Sequence, residues 1–399
     1  MSEKKNLLVC MPDFPFPARK NGISIRYYPI LKHAAKEFNI HLLIIAEGAV
    51  SEEGIQQAKE FCHKVSIYVR KPHPVSKIKK LFTRVKAFIP NTLPFDFICY
   101  DESLIADFIQ QETKGLMYDT ALCVLLSYQH LVKKFVHATY HSLDVIDSPY
   151  STSLRSKGTS LISAYDVNMM KLWERKALTT VDYACYVSPL DREIGAGTGA
   201  DQNKIGVIPN GLFLQDHSEE KIEYGCHTIG YLGHMGYPPN IKAALRLYAI
   251  FKSRRDALAN TKLVIIGRDP APEIAALAKD PDVIVTGTVD NIWPYVNGVD
   301  LFAFPMEIGS GQQNKLLEAM GAGKPVISSA LGNSGIGAKD RIEIIEANTD
   351  DTIGDALVLL ASDRDYAEKI GAAAKSFIDR TYAWPFIFKQ IDTQLLHTR

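Results

Sequence analysis

Short apolar runs alternate with longer amphipathic segments along most of this 399-residue chain. Uninterrupted apolar runs are typical of strands buried on both faces of a parallel sheet. The segments between them have the period of helices that cover such a sheet. The pattern therefore predicts an α/β fold, with strands at residues 7–11, 41–46, 181–188, 228–232, 262–267, 283–287, 300–304 and 326–329. The clearest predicted helices lie at residues 23–38, 160–180, 363–379 and 386–396.

Length and composition narrow the class of protein. A chain of 399 residues is long enough for two domains with separate cores. Formal net charge is zero, which gives no bulk attraction to nucleic acid. The six cysteines form no C-x-x-C pair, which argues against a zinc site or a disulfide framework. Without a signal-like N-terminus or a membrane-length apolar run, we expect a soluble, cytoplasmic protein.

The segment from Pro305 to Gly321 lies between two predicted strands and joins a Gly-Ser-Gly loop to a run of good helix formers. A helix that follows a glycine loop at the end of a strand presents free N–H groups and a positive dipole end, which suit a phosphate. The alternative is an amphipathic surface helix with a solvated polar face. On a helical wheel, one face carries Gly311, Asn314, Lys315 and Glu318, and the other carries Leu316, Leu317 and Met320.

This segment resembles the signature of a bacterial subgroup of the family-4 retaining glycosyltransferases, Gly-x-Gln-Asn-Lys-x-x-Glu-Ala-Met, which here covers Gly311 to Met320. Further motifs follow in the family's order and spacing, and the match is most specific over about residues 205–330. They are Ile208-Pro-Asn-Gly211, Tyr231-Leu-Gly233 with Tyr237-Pro-Pro-Asn240, Ile265-Ile-Gly-Arg268 and Val285-Thr-Gly-Thr-Val289.

The resemblance implies the GT-B architecture, in which two Rossmann-like domains face a central cleft and a C-terminal helix crosses back to the first domain. We expect an N-terminal acceptor domain over residues 1–200, completed by residues 384–399, and a donor domain over residues 205–380. The implied reaction transfers a sugar with retention from a nucleotide diphosphate sugar to a glycan or lipid-linked acceptor, in cell-envelope polysaccharide synthesis. No cofactor and no metal are expected.

The same resemblance assigns candidate donor contacts. Lys315 and the helix N-terminus would hold the diphosphate, and Glu318 would accept hydrogen bonds from the ribose hydroxyls. Arg268 and Val289 would lie near the nucleotide base, and Glu307 near the sugar. The full predicted donor set is Gly22, Asn210, Gly233, His234, Arg268, Val289, Glu307, Gly311, Gln313, Asn314, Lys315 and Glu318.

Two departures from the family pattern affect the donor site. Most relatives have an arginine and a lysine that hold the diphosphate, where this chain has His234 and Asn240. The family's first glutamate position is Ser310 here, and Glu307 is the nearest carboxylate in the sequence. We expect Lys315, the helix N-terminus and His234 to replace the missing cations.

Two alignments of the first domain with the family pattern give different catalytic residues. In one, His141 at the end of Ala-Thr-Tyr-His is the histidine that many relatives place beside the transferred sugar. In the other, Asp144 and Asp147 match the family's Asp-x-His-Asp, and Ile146 takes the histidine position. The predicted catalytic residues are therefore His141 and Asp147.

Residues 71–90 carry six basic side chains and no acidic one, with apolar residues at helical spacing. Such a segment suits peripheral contact with an anionic membrane at its inner face. The alternative is a surface helix packed on the sheet.

Two other functions stay open beside glycosyl transfer. A nucleotide-sugar epimerase or hydrolase on the same fold would act on its donor without an acceptor. A non-catalytic partner subunit would explain the missing arginine and lysine and the serine at position 310.

Overall fold

The computed structural model describes residues 4–17, 22–70, 102–155, 161–212, 220–308 and 311–398. The chain divides into two compact units. The first unit comprises Met1–Pro209 together with Ile387–Arg399, and the second comprises Asn210–Phe386. The predicted boundaries, at 200/205 and 380/384, fall within about ten residues of these divisions. The basic segment 71–90 lies outside the described residues.

The first unit is built on a parallel sheet that has seven strands in the described part of the chain. The strand order is β3-β2-β1-β4-β5-β6-β7, so that β1 and β4 lie at the centre. The central strands are almost entirely apolar, because helices cover both faces. The strands are β1 (Lys5–Met11), β2 (Phe38–Ala46), β3 (Lys64–Val69), β4 (Tyr118–Val124), β5 (Ala138–Ile146), β6 (Tyr183–Tyr186) and β7 (Ile205–Val207).

Helices connect these strands in the order expected for a parallel sheet. Helix α1 ends at Ala34, four residues before the predicted end at residue 38, because β2 already begins at Phe38. The helices of the first unit are α1 (Gly22–Ala34), α2 (Glu52–Phe61), α3 (Glu102–Thr113), α4 (Gln129–Phe135), α5 (Pro149–Arg155), α6 (Leu161–Thr179) and α7 (Pro189–Ala196). A short 3-10 turn, Gln202–Lys204, precedes β7.

The C-terminal segment returns to the first unit, as the sequence predicted. The Thr120 hydroxyl on β4 donates to the carbonyl oxygen of Leu396 at 2.7 Å. On α1, His33 Nε2 lies 2.9 Å from the Asp392 carboxylate. The Tyr140 hydroxyl on β5 donates to the carbonyl oxygen of Gln394 at 2.8 Å. The C-terminal segment thus contacts α1, β4 and β5 of the first unit.

The second unit has a parallel sheet of six strands within the described residues, in the order β10-β9-β8-β11-β12-β13. Its core is one apolar cluster that spans both faces of this sheet. The strands are β8 (His227–Leu232), β9 (Thr261–Ile266), β10 (Val283–Val285), β11 (Leu301–Phe304), β12 (Val326–Ser328) and β13 (Ile345–Glu346). Strands β8 to β12 all lie where the apolar runs predicted them.

The helices of the second unit follow the same alternation. They are α8 (Pro238–Ser253), α9 (Pro272–Ala275), α10 (Trp293–Gly298), α11 (Asn314–Gly321), α12 (Ala330–Asn333), α13 (Asp350–Ser362) and α14 (Arg364–Thr381), with a 3-10 turn at Ala276–Lys279. Helix α15 (Trp384–Gln390) begins in the second unit and ends in the first. A π-helical turn, Ile391–Leu395, follows α15 in the first unit. None of the helices among the described residues is both long enough and apolar enough to cross a bilayer.

Candidate functional site

The strongest polar cluster of the second unit lies where β8 and β11 end, next to the first turns of α8 and α11. Ligand sites of open parallel sheets lie at this carboxyl edge, because the connecting loops and helix N-termini meet there. Strand order places β8 beside β11 in the middle of the sheet. The loops that follow these two strands therefore form the centre of the candidate site.

The loop after β8 is held close to the first turn of α8. Gly233 follows the strand, and a Cβ atom placed there would lie 2.9 Å from Asn240 Nδ2. Asn240 Nδ2 donates to the backbone carbonyl of His234 at 3.1 Å. A residue larger than glycine at position 233 would displace the Asn240 amide.

Lys315, in the first turn of α11, extends its side chain into this packed region. Its residue exposure is 7%, so it lies with the apolar positions of the helix and not on a solvated face. Nζ donates to Asn240 Oδ1 at 2.6 Å and to the Tyr231 hydroxyl at 3.2 Å, and lies 3.2 Å from Met306 Sδ. The aromatic rings of Tyr231 and Phe304 have their centroids 5.2 and 5.9 Å from Nζ.

The burial of Lys315 argues against the alternative of a solvated polar face on this helix, although Glu318 on the same face is only half-buried. Every partner of its ammonium group among the described residues is neutral, and none is a carboxylate. Burial lowers the pKa of Lys315 from 10.5 to about 7. A buried cation held only by dipoles and rings is an arrangement that favours an incoming anion.

The N-terminus of α11 is fixed by side-chain amides. Asn210 Nδ2 donates to Asn314 Oδ1 at 3.0 Å. The Gln312 side chain accepts from the Asn210 backbone N–H at 2.6 Å and donates to the Asn210 carbonyl at 3.4 Å. Gly311 has a φ of 65°, a conformation that favours glycine. Gln313 precedes the helix without capping it through its side chain.

A second group of polar residues lies beyond the ends of β8 and β9. His234 Nε2 is 3.2 Å from the Asp269 carboxylate, and Arg268 Nε is 3.8 Å from the same group. The Asp269 backbone N–H donates to the Thr288 hydroxyl at 3.4 Å, which brings the loop after β10 alongside. The predicted contacts His234, Arg268 and Val289 therefore lie on three adjacent loops.

Two predicted acidic contacts differ in their surroundings. Glu307 is exposed, and its carboxylate lies 3.6 Å from Arg246 Nη1. Arg246 also donates to Asp350 at 2.7 Å and to backbone carbonyls of the neighbouring loops. Glu318 is half-buried one turn after Asn314 on α11. Donor contacts by both residues stay predictions.

The predicted contacts of the first unit are spread along its sheet. Gly22 is the first residue of α1, and no heavy atom lies within 4 Å of a Cβ placed on it. His141 lies inside β5, paired in register with Ala121, several residues before the strand ends. Asp147 follows β5 directly, so it lies nearer the carboxyl edge than His141 does.

The environment of His141 favours a packing role. Its ring is buried, and burial lowers its pKa to about 4, so the imidazole is neutral at pH 7. Its backbone N–H donates to the Asp182 carboxylate at 2.8 Å. The catalytic assignments of His141 and Asp147 stay predictions.

The structure also shows polar residues that the sequence argument left out of the site. Asn240 entered only as a departure from a family lysine, and Gln312 was not considered. Both are buried side-chain amides with their hydrogen bonds made inside the second unit. Gln312 directly follows Gly311 before α11, and Asn240 lies in the first turn of α8, and an amide at such a loop–helix junction is a signal that could have identified them.

Part of the second unit matches a known protein family. Residues 226–368 match the family model for "Glycosyl transferases group 1", which covers less than half of the chain. A GDP-mannose-dependent alpha-(1-6)-phosphatidylinositol monomannoside mannosyltransferase of Mycobacterium tuberculosis is 31% identical over 157 residues. That alignment covers 35% of this chain and 40% of the mannosyltransferase. The chain therefore spans less than half the length of the curated relative it matches.

Solved structures extend the similarity to the whole chain. Anabaena HepE in complex with UDP aligns over 98% of this chain and 99% of its own, with a TM-score of 0.68 and 12% identity. The chain has the GT-B fold. Sucrose-phosphate synthase of Thermosynechococcus elongatus shares that fold, with a TM-score of 0.68 and 14% identity over 99% of this chain and 100% of its own. Identities this low show the fold alone.

Proposed function

We propose that this protein is a retaining glycosyltransferase that takes a sugar from a nucleotide diphosphate sugar. The observation that carries the proposal is the Lys315 ammonium, buried at the carboxyl edge of the second sheet and held by neutral groups only among the described residues. It lies inside the segment that matches the family model for group 1 glycosyl transferases. A diphosphate is the anion that such a domain would bring to this cation.

The donor would lie across the loops that end the strands of the second sheet. Lys315 and the first turn of α11 would hold the diphosphate, since both present positive charge at the same edge. Glu318 would accept hydrogen bonds from the ribose hydroxyls. The base would lie near Arg268 and Val289, on the loops after β9 and β10.

Charge at the diphosphate accounts for the chemistry proposed. As the bond to the sugar breaks, negative charge grows on the leaving phosphate, and a cation already in place stabilises that charge. The acceptor hydroxyl would attack the same face of the sugar that the phosphate leaves, and configuration is therefore retained. The leaving phosphate would take the proton of that hydroxyl. Metal-free catalysis stays a part of this proposal.

We assign the acceptor to the first unit, as a glycan or a lipid-linked sugar used in cell-envelope polysaccharide synthesis. The M. tuberculosis relative is named for a phosphatidylinositol monomannoside acceptor, which supports a lipid-linked class. We place the reaction in the cytoplasm, since the five cysteines within the described residues are free thiols. Membrane contact through residues 71–90 is part of the same proposal.

Calorimetry on the full chain tests the donor site. UDP-glucose, GDP-mannose and related nucleotide sugars are titrated into the wild type and into Lys315→Met. We expect one nucleotide class to bind the wild type and binding to fall at least tenfold in Lys315→Met, because the variant removes the buried cation. The matched control is Lys369→Met, which removes an exposed lysine from α14.

Two outcomes would contradict the proposal. Absence of binding by every nucleotide sugar would favour a non-catalytic partner subunit. Equal binding by the wild type and Lys315→Met would move the donor away from α11. Incubation with the bound donor alone separates transfer from hydrolysis or epimerisation, since a transferase leaves most of its donor intact until an acceptor is added.

A further inference from the structure

Asn240 uses both ends of its side-chain amide within the second unit. Its residue exposure is 8%, in the first turn of α8. Oδ1 accepts from Lys315 Nζ at 2.6 Å and from the Tyr231 hydroxyl at 3.3 Å. Nδ2 donates to the His234 carbonyl at 3.1 Å. These contacts fix the orientation of the amide, with the oxygen toward the lysine and the nitrogen toward the loop after β8.

We infer that Asn240 is the positioning residue of the donor site, because its Oδ1 holds Lys315 Nζ in place and favours the charged form of the amine. The inference rests on the proposed function, because Lys315 acts there on the donor diphosphate. Asn240 itself touches the lysine and the His234 loop, and not the donor.

The geometry explains why an amide oxygen serves this purpose. A carbonyl dipole aimed at Nζ favours the charged lysine, while burial opposes it. A carboxylate at position 240 would favour the charged form more strongly, but it would also neutralise the cation. An amide keeps the positive charge available for an incoming anion.

The titratable groups around Lys315 leave its charge uncompensated among the described residues. Tyr231 on β8 is the one in contact, and burial raises its pKa, so it is a neutral phenol. His234, after β8, is engaged with Asp269, and Glu307, after β11, faces Arg246. Glu318 lies one turn further along α11.

Proton uptake on donor binding is the direct consequence. Lys315 has a pKa of about 7 without an anion beside it, so a part of the molecules holds a neutral amine at pH 7 to 8. A bound diphosphate favours the ammonium and draws in a proton. Above pH 7, donor affinity then falls by up to about tenfold per pH unit.

Calorimetry in buffers of different ionisation enthalpy measures this proton uptake. The probes are UDP-glucose and GDP-mannose, whose diphosphates do not themselves titrate near pH 7. We expect about 0.5 to 1 proton taken up at pH 7 to 8 in the wild type and none from this group in Lys315→Arg, which stays charged. In the control variant His234→Asn, the proton uptake should persist if Lys315 is its source.

Variants of Asn240 test the positioning role separately. Asn240→Leu removes the dipole, and we expect the midpoint of the affinity–pH profile to move down by about one unit. Asn240→Asp places a carboxylate beside the ammonium, and we expect the profile to become flat between pH 7 and 9, with weaker binding throughout. Asn333→Leu is the control, because Asn333 is an equally buried amide of the same unit and bonds to Ala338 and Glu346.

Lysine-labelled NMR gives a readout that needs no donor. The Lys315 Cε signal, assigned through Lys315→Met, should titrate near pH 7 and shift its midpoint in the two Asn240 variants. If donor binds normally but neither the proton uptake nor this midpoint responds to Asn240, the positioning inference is wrong and the proposed function stands. If no nucleotide sugar binds the wild type, both are wrong.

Discussion

Among the described residues, the first unit buries one arginine and the second unit one lysine near the carboxyl edge of its sheet, and the two side chains have opposite kinds of partner. In the first unit, Arg26 on α1 is 1% exposed and its Nε lies 2.6 Å from the carboxylate of Asp144, which is fully buried on β5. The Tyr27 hydroxyl donates to the same carboxylate at 2.5 Å. In the second unit, Lys315 meets only neutral groups among the described residues.

On the proposed function, this difference separates a structural charge from one that binds the donor. A buried ion pair with added hydrogen bonds balances its own desolvation cost and has little attraction left for a ligand. A buried ammonium held by dipoles keeps its attraction, and its cost is recovered only when an anion binds. The first arrangement fixes α1 on the sheet, and the second would, on the proposed function, hold the diphosphate of the donor.

Removing the anion of the first unit should have the largest effect. Asp144→Asn keeps the shape but removes the carboxylate that the buried Arg26 contacts, so we expect a loss of about 3–5 kcal/mol in the free energy of unfolding. Hydrogen exchange of the β4 and β5 amides in the full chain measures it. Asp107→Asn, at an exposed position on α3, is the control. A loss below about 1 kcal/mol would mean that the pair does not hold the unit together.

The corresponding change in the second unit should act in the other direction. Lys315→Met removes a buried charge that has no carboxylate partner among the described residues, so we expect the unit to gain about 1–4 kcal/mol while donor binding is lost. Hydrogen exchange of β8 and β11 amides reports the stability, and calorimetry reports the binding. A less stable variant would show that the ammonium is compensated after all, and the contrast between the units would fail.

The pH dependence of stability sharpens the same contrast. Lys315 has a pKa lowered to about 7 in the folded chain, against 10.5 for an ordinary lysine. Between these values the unfolded chain holds the extra proton, so the stability of the second unit rises with pH, by up to about 1.4 kcal/mol per unit. The rise ends at about pH 10.5, and below pH 7 the full cost of the buried charge is present.

The difference between the wild type and Lys315→Met isolates this contribution, because all other groups titrate alike in both. We expect the stability gap to narrow as the pH rises from 6 to 9. If the protection of the β8 and β11 amides changed with pH in the same way in the wild type and in Lys315→Met, Lys315 would not titrate in this range.

Much of this fold could be predicted from the sequence, because buried parallel strands leave apolar runs that stand out against amphipathic helices. The runs at β8, β9 and β11 are of this kind. Strand β5 was harder to place, since polar residues such as His141, Ser142 and Asp144 interrupt the apolar pattern of Ala138–Ile146. A buried charge pair such as Arg26 with Asp144 joins residues 118 positions apart, and no local pattern reveals it.

The segment that carries the candidate site could be predicted from the sequence, but the contacts among its side chains could not. The glycine loop and α11 follow from residue types, and Lys315 was placed near the diphosphate. Its burial was not predicted, because a lysine is expected at a solvated position unless a buried hydrogen-bond acceptor for it is known. That acceptor, Asn240, lies on another helix, 75 residues away in the chain.

The two tyrosines offer the smallest and most closely matched test. Each hydroxyl lies beside its unit's buried cation: the Tyr27 hydroxyl donates to Asp144, and the Tyr231 hydroxyl contacts both Asn240 Oδ1 and Lys315 Nζ. Tyr27→Phe removes a hydrogen bond to a charged acceptor, which costs about 1.5–3 kcal/mol, and Tyr231→Phe removes contacts that cost about 0.5–1.5 kcal/mol. Hydrogen exchange on each unit measures the two losses in the same way. Because the Tyr231 ring stays over the ammonium, donor affinity should fall less than threefold, and a larger fall would make Tyr231 a second positioning residue beside Asn240.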